Sequence, residues 1–173
     1  MKSIVTLFLL FFTFSSSFAQ NLPCVKGSSV IRLDWINDMQ LNCTESFDMI
    51  NEEYPKEVTF AKMKDGSYIL RLSAYKVEGS KLLNLKILLK DGTVISFTDR
   101  YKYDAVDYQI FNTYNLTKSE AILLTKSNID HIKYEILNNG VILKRTAKNI
   151  RSDDYVGNRE LCTADAMTNL MQK

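Results

Sequence analysis

Lys64-Asp65-Gly66-Ser67-Tyr68-Ile69-Leu70-Arg71-Leu72-Ser73-Ala74 and, a few residues on, Leu83-Asn84-Leu85-Lys86-Ile87-Leu88-Leu89-Lys90-Asp91-Gly92-Thr93-Val94 carry the pattern that decides the fold. Tyr68, Leu70, Leu72 and Ala74 recur at every second position, as do Leu83, Leu85, Ile87 and Leu89. Successive side chains of a strand point to opposite faces, so each set defines one apolar face. Asp-Gly between alternating runs is a hairpin signal, and a two-residue type I′ turn is expected at Asp65-Gly66 and at Asp91-Gly92.

Working outward, Val58 to Lys64 alternates only loosely before the first turn, and Val94 to Tyr103 returns from the second. Further strands are expected at Asp107–Thr113, Ile129–Leu137 and Val141–Arg145, the last two joined by a turn at Asn138-Asn139-Gly140. Thr117-Lys118-Ser119-Glu120 has the spacing of a capping box and predicts a short helix through Leu124. Cys162, Ala166, Met167, Leu170 and Met171 fall at helical spacing and predict an amphipathic C-terminal helix. The region before Tyr54 suggests a strand at Val30–Ile36 and a short helix near Phe47–Asn51. The expected fold is mainly β (α+β): an antiparallel sandwich or open barrel of about seven or eight strands, short peripheral helices and a C-terminal helix.

The N-terminus reads as an export signal. Met1-Lys2 is a minimal positive region, Ile4 to Phe14 is apolar, and Ser15-Ser16-Ser17-Phe18-Ala19 supplies small residues for cleavage after Ala19. The apolar run falls short of the roughly 18–20 residues that cross a bilayer. Residues 1–19 are therefore expected to be a signal peptide and 20–173 a single exported β-rich domain, periplasmic or extracellular, with no membrane span after cleavage. No Pro-, Gly- or Ser-rich linker divides Cys24 to Lys173.

Most chemistries lack their residues. A formal net charge of +2 makes no demand for nucleic acid. The single histidine, His131, shares a strand face with Lys133 and Glu135, and no Gly-x-Ser-x-Gly elbow accompanies it. Phosphate-cradling and calcium-loop motifs are missing. The three cysteines, Cys24, Cys43 and Cys162, are too dispersed for a zinc or Cys-x-x-Cys signature, so neither metal nor other cofactor is expected. In an oxidising compartment a Cys24–Cys43 disulfide is the favoured pairing, leaving Cys162 on the apolar stripe of the last helix.

Two constellations remain. Asp34, Asp38, Glu45, Asp48, Glu52 and Glu53 form an acidic stretch that no Lys or Arg interrupts. A pair of them about 5–10 Å apart could serve a hydrolase acting on an envelope polysaccharide or peptidoglycan. Tyr101, Tyr103, Tyr108 and Tyr114 cluster with Arg100 and Lys102. Parity places Tyr101 and Tyr103 with the core residues Ile95 and Phe97, leaving Tyr108 and Tyr114 as a stacking platform flanked by Arg100 and Lys102. Elimination of catalytic motifs makes a non-enzymatic binding module for an envelope protein or glycan the leading expectation, with the hydrolase as its alternative.

Overall fold

The computed structural model describes residues 24, 31–36, 39–50, 56–75, 80–98, 100–106, 109–150 and 160–173. The expected signal peptide, together with Asp38, Glu52, Glu53 and Tyr108, lies outside these residues. The described chain is mostly β: two antiparallel layers in a sandwich-like arrangement that does not close, with two helices. Its strands are β1 (Ile31–Ile36), β2 (Met39–Thr44), β3 (Phe47–Ile50), β4 (Lys56–Lys62), β5 (Tyr68–Tyr75), β6 (Lys81–Leu89), β7 (Val94–Phe97), β8 (Tyr101–Val106), β9 (Gln109–Leu116), β10 (Ile129–Asn138) and β11 (Val141–Asn149). The helices are α1 (Lys118–Lys126) and α2 (Thr163–Gln172).

The hydrogen-bonded path runs β7-β6-β10-β11-β3-β4-β5-β9-β8 and folds so that β6 faces β8 and β9. Between the layers lies the main core, which includes Phe47, Phe60, Leu70, Leu72, Leu85, Ile87, Phe97 and Tyr134. Both Asp-Gly signals mark hairpins, yet their turn type differs from expectation. Only the glycines take positive φ (Gly66 83°, Gly92 87°). Each loop closes on three residues, with Met63 N donating to Ser67 O and Leu89 N to Thr93 O. The Asp65 and Asp91 carboxylates accept from Ser67 N and Thr93 N, both at 2.9 Å, the side-chain-to-backbone bond of an Asx turn. Asn139 and Gly140, both at positive φ, form the primed turn.

Three sequence expectations are corrected. Residues 47–50 are strand β3, not helix, because they pair with β4 on one side and β11 on the other. In β6 the pairing with β10 slips between Tyr134 and Ile136, so Leu82 is buried in place of Leu83. Val94–Tyr103 is two strands on opposite edges, β7 on β6 and β8 on β9. These divisions, and the short strands before Tyr54, account for eleven strands among the described residues where about seven or eight were expected.

The loose alternation of β4 has a physical cause: both its faces are covered. Val58 and Phe60 face the main core, while Ala61 joins Ile36, Leu41, Cys43 and Ile69 in a second, smaller core under the β1–β2 hairpin. One edge of β4 is divided between two partners, β3 at Lys56–Val58 and β2 at Ala61–Lys62. Phe60 N falls between them and donates instead to Thr44 Oγ1 at 3.0 Å.

The disulfide is Cys24–Cys162, with a Cα–Cα distance of 5.0 Å, not Cys24–Cys43. The register of β2 explains the correction. Cys43 lies opposite Ala61 and is fully buried in the second core, so its thiol has no route to Cys24. Burial, reinforced by the charge of Asp34, pushes that thiol up to about 11, despite the opposing charge of Arg71. Cys162 sits instead at the start of α2.

Candidate binding cleft

A cleft of about 390 Å³ opens on the outer face of the β5–β9–β8 layer. Antiparallel register builds its floor. Ile69 of β5 lies opposite Asn115 of β9, and Thr113 of β9 opposite Lys102 of β8. The β1–β2 hairpin supplies the overhang: Met39 at the start of β2 and Met63 just past β4 line the apolar wall. Arg100, Tyr101 and Lys102 form the other wall. A volume of this size is within the range of small-ligand sites, roughly 300–1,000 Å³.

Arg100 is fixed in place. Its guanidinium donates to both Glu120 oxygens (2.6 and 3.4 Å) and to Ser96 O at 2.9 Å, and lies 5.1 Å from the Phe97 ring centroid. Glu120 is held in turn by the capping box that the sequence predicts. Glu120 N donates to Thr117 Oγ1 at 3.2 Å, and Thr117 N donates back to Glu120 Oε2 at 2.8 Å. Arg100 thereby ties the β7–β8 connection to α1 while also lining the cleft. Lys102 is different: it is exposed and has no ion-pair partner among the described residues.

Burial alone would raise the Glu120 pKa, but the hydrogen bonds from Arg100 and Thr117 outweigh it and hold the carboxyl below its usual value. A depressed carboxyl contributes stability that is complete above its unfolded value, about 4.3, and is lost as pH falls through the folded one. Acid titration of the melting temperature should therefore fall less steeply below about pH 5 for Glu120→Gln than for the wild type. Parallel curves would remove Glu120 from the acid response.

Of the expected tyrosine platform, Tyr108 lies outside the described residues and Tyr114 is withdrawn into the core. Tyr114 is fully buried, its ring 5.3 Å from Phe97 and 6.1 Å from Tyr101, and its hydroxyl donates to Leu83 O at 2.8 Å. Burial pushes its phenol well above the ordinary value. The reason is the parity of β9, where Ile110, Asn112, Tyr114 and Leu116 all point inward. Asn112 and Tyr114 bridge the layers: Asn112 Nδ2 donates to Leu82 O (2.9 Å) and Leu83 O (3.1 Å). β7 pairs with β6 only from Leu85 to Leu88, so these carbonyls lie beyond its reach. Tyr101 and Tyr103 pack half-buried against the core, as parity predicts, and Tyr101 also borders the cleft. Sequence reading missed Met39, Met63 and Ile69, whose approach depends on the hairpin folding over β4.

Among the described residues, no carboxylate lines the cleft. Asp34 is exposed on β1, and Glu45 is ion-paired with Arg32. His131 lies on β10 in the other layer, with Nδ1 2.8 Å from Asp130 Oδ2. Among the described residues, Cys24, Cys162 and Asp165 are the group with metal-ligand atoms close together. Its two sulfurs are joined in the disulfide, so only the carboxylate is left to ligate. No helix among the described residues is long and apolar enough to cross a membrane. Comparison of the chain with protein-family models, with curated proteins and with solved structures finds no match.

Proposed function

We propose that the chain is an exported, non-enzymatic binding module whose cleft takes an anionic group carried on an apolar body. The observation that carries this reading is Lys102, an exposed cation without an ion pair among the described residues. It lines a cleft with methionine and isoleucine on one side and, among the described residues, no carboxylate. Apolar contact supplies area removed from water, and the cation selects the charge of the ligand. A segment of an envelope protein with an acidic and an apolar side chain fits this chemistry. A neutral glycan fits it less well, because Tyr114, half of the expected stacking platform, is buried. The hydrolase alternative requires two carboxylates at one cleft, and none of the described residues lining this one is a carboxylate.

The anionic, apolar fluorophore 8-anilinonaphthalene-1-sulfonate is a suitable probe. Its fluorescence should rise saturably with the folded protein. Lys102→Glu exchanges attraction for repulsion and should weaken binding about tenfold. Lys118→Glu, on the exposed first turn of α1, should leave it unchanged. Equal weakening by both variants, or by neither, would contradict the assignment.

A further inference from the structure

The outer face of the other layer carries a second feature that the cleft does not use. On β6, β10 and β11 the residues facing away from the core fall into register rows. Leu137 lies opposite Ile142 and Lys81, Glu135 opposite Lys144, and Lys133 opposite both Lys86 and Thr146. His131 lies opposite Lys148. Lys86 and Lys133 are thus direct cross-strand neighbours of like charge, a placement that disfavours the isolated sheet. Lys86, Lys133 and Lys148 are exposed and have no ion-pair partner among the described residues. Among the described residues, the opposing charges on this face are Glu135, 4.0 Å from Lys144 Nζ and hydrogen-bonded to Asn84 at 2.9 Å, and Asp130 on His131. A depression of about 200 Å³ lies between Asn84, Lys86, Lys133 and Lys144.

The same hairpin ends in apolar residues that water surrounds. Val141 and Ile142 are 58% and 54% exposed, and Leu137, in the same row as Ile142, is half-buried. Lysines on a sheet face next to an exposed apolar fingertip are complementary to a surface that is anionic outside and apolar just beneath. A soluble polyanion would engage the lysines and leave Val141 and Ile142 in water.

We propose that the β6–β10–β11 face docks on an anionic lipid bilayer. The β10–β11 turn enters the headgroup boundary, and Lys86 and Lys133 share a lipid phosphate. Juxtamembrane lysines each contribute about 1 kcal/mol near an anionic surface, and apolar burial at the interface adds to this.

The test is sedimentation of the exported protein with phosphatidylglycerol–phosphatidylcholine vesicles and with phosphatidylcholine vesicles alone. Partitioning onto the anionic vesicles should be stronger and should fall with added salt as the Debye length shrinks from about 10 Å at 0.1 M to about 3 Å at 1 M. Lys86→Glu with Lys133→Glu should reduce it by at least about 25-fold, two lysine contributions of about fivefold each. Val141→Ser with Ile142→Ser should weaken it on the same vesicles, while Lys118→Glu should not. The melting temperature of each variant confirms folding. Indifference to lipid charge, equal loss with Lys118→Glu, or no loss with the Val141 and Ile142 pair would overturn the proposal. So would binding to a soluble sulfated polysaccharide with no partitioning onto vesicles.

Discussion

Cys24→Ser is expected to lower the unfolding free energy by about 3–5 kcal/mol. The bond it removes joins residues 138 positions apart, so the crosslink constrains nearly the whole unfolded domain. The chain-entropy estimate for a loop of that size is about 5 kcal/mol, and measured losses in small domains are about 2–5. It also fastens the segment at Cys24 to the start of α2, where Cys162 is fully buried. Denaturant midpoints of the oxidised wild type and of Cys24→Ser measure the difference, and coincident transitions would contradict it. Peptide mapping without reductant should recover Cys24 joined to Cys162. Cys43, buried and with its thiol pushed up to about 11, should alkylate only after unfolding.

Asn149→Ala should cost about 3–5 kcal/mol, although it deletes only a small polar side chain. Asn149 is buried at the end of β11, and its amide group acts as a clasp between β10 and the segment leading into α2. Nδ2 donates to Ile129 O at 2.8 Å and to Leu161 O at 3.0 Å, and Leu161 N donates to Oδ1 at 3.3 Å. Alanine would leave two carbonyls and an N–H buried without these partners, each worth about 1–3 kcal/mol. Neighbouring bonds join the same elements. Ile129 N donates to Thr163 Oγ1, and Ala164 N to Asn128 Oδ1, which caps α2 where Cys162 makes no side-chain capping bond. Loss of the clasp should therefore loosen α2 first, seen as faster amide exchange at Met167 and Leu170 than at Leu70 and Leu72. Uniform exchange across these four residues would argue against a local clasp.

The particular residues show why some of this was legible and some was not. Alternation read the paired strands well because each of them has one core face and one solvent face. The capping box at Thr117 and Glu120 is local chemistry, and both its bonds are present. β4 and β3 were opaque because a hairpin or two neighbouring strands cover faces and edges that periodicity assumes are open. Tyr114 falls just past the strand expected at Asp107–Thr113, so alternation assigns it no face, whereas β9 runs on to Leu116. Asn112 faces inward to satisfy carbonyls of the opposite layer, a need invisible until β6 and β9 are brought together. The disulfide failed for a related reason. Short separation favours Cys24 with Cys43 in the unfolded chain, but the register of β2 withdraws Cys43 into a core. Charge and neighbours single out Arg100 and Lys102 in the sequence, and both line the cleft. Their apolar counterparts, Met39 and Met63, come from the far ends of β2 and β4.

Methyl-selective NMR of the methionines during titration with 8-anilinonaphthalene-1-sulfonate tests the binding cleft most directly. Met39 and Met63 line it, whereas Met49 and Met167 are fully buried in the main core. The Met39 and Met63 methyl resonances should shift saturably with the same affinity that fluorescence reports, while Met49 and Met167 stay in place. Shifts at Met49 or Met167 with Met39 and Met63 unmoved would place the ligand elsewhere and contradict the cleft as the binding site.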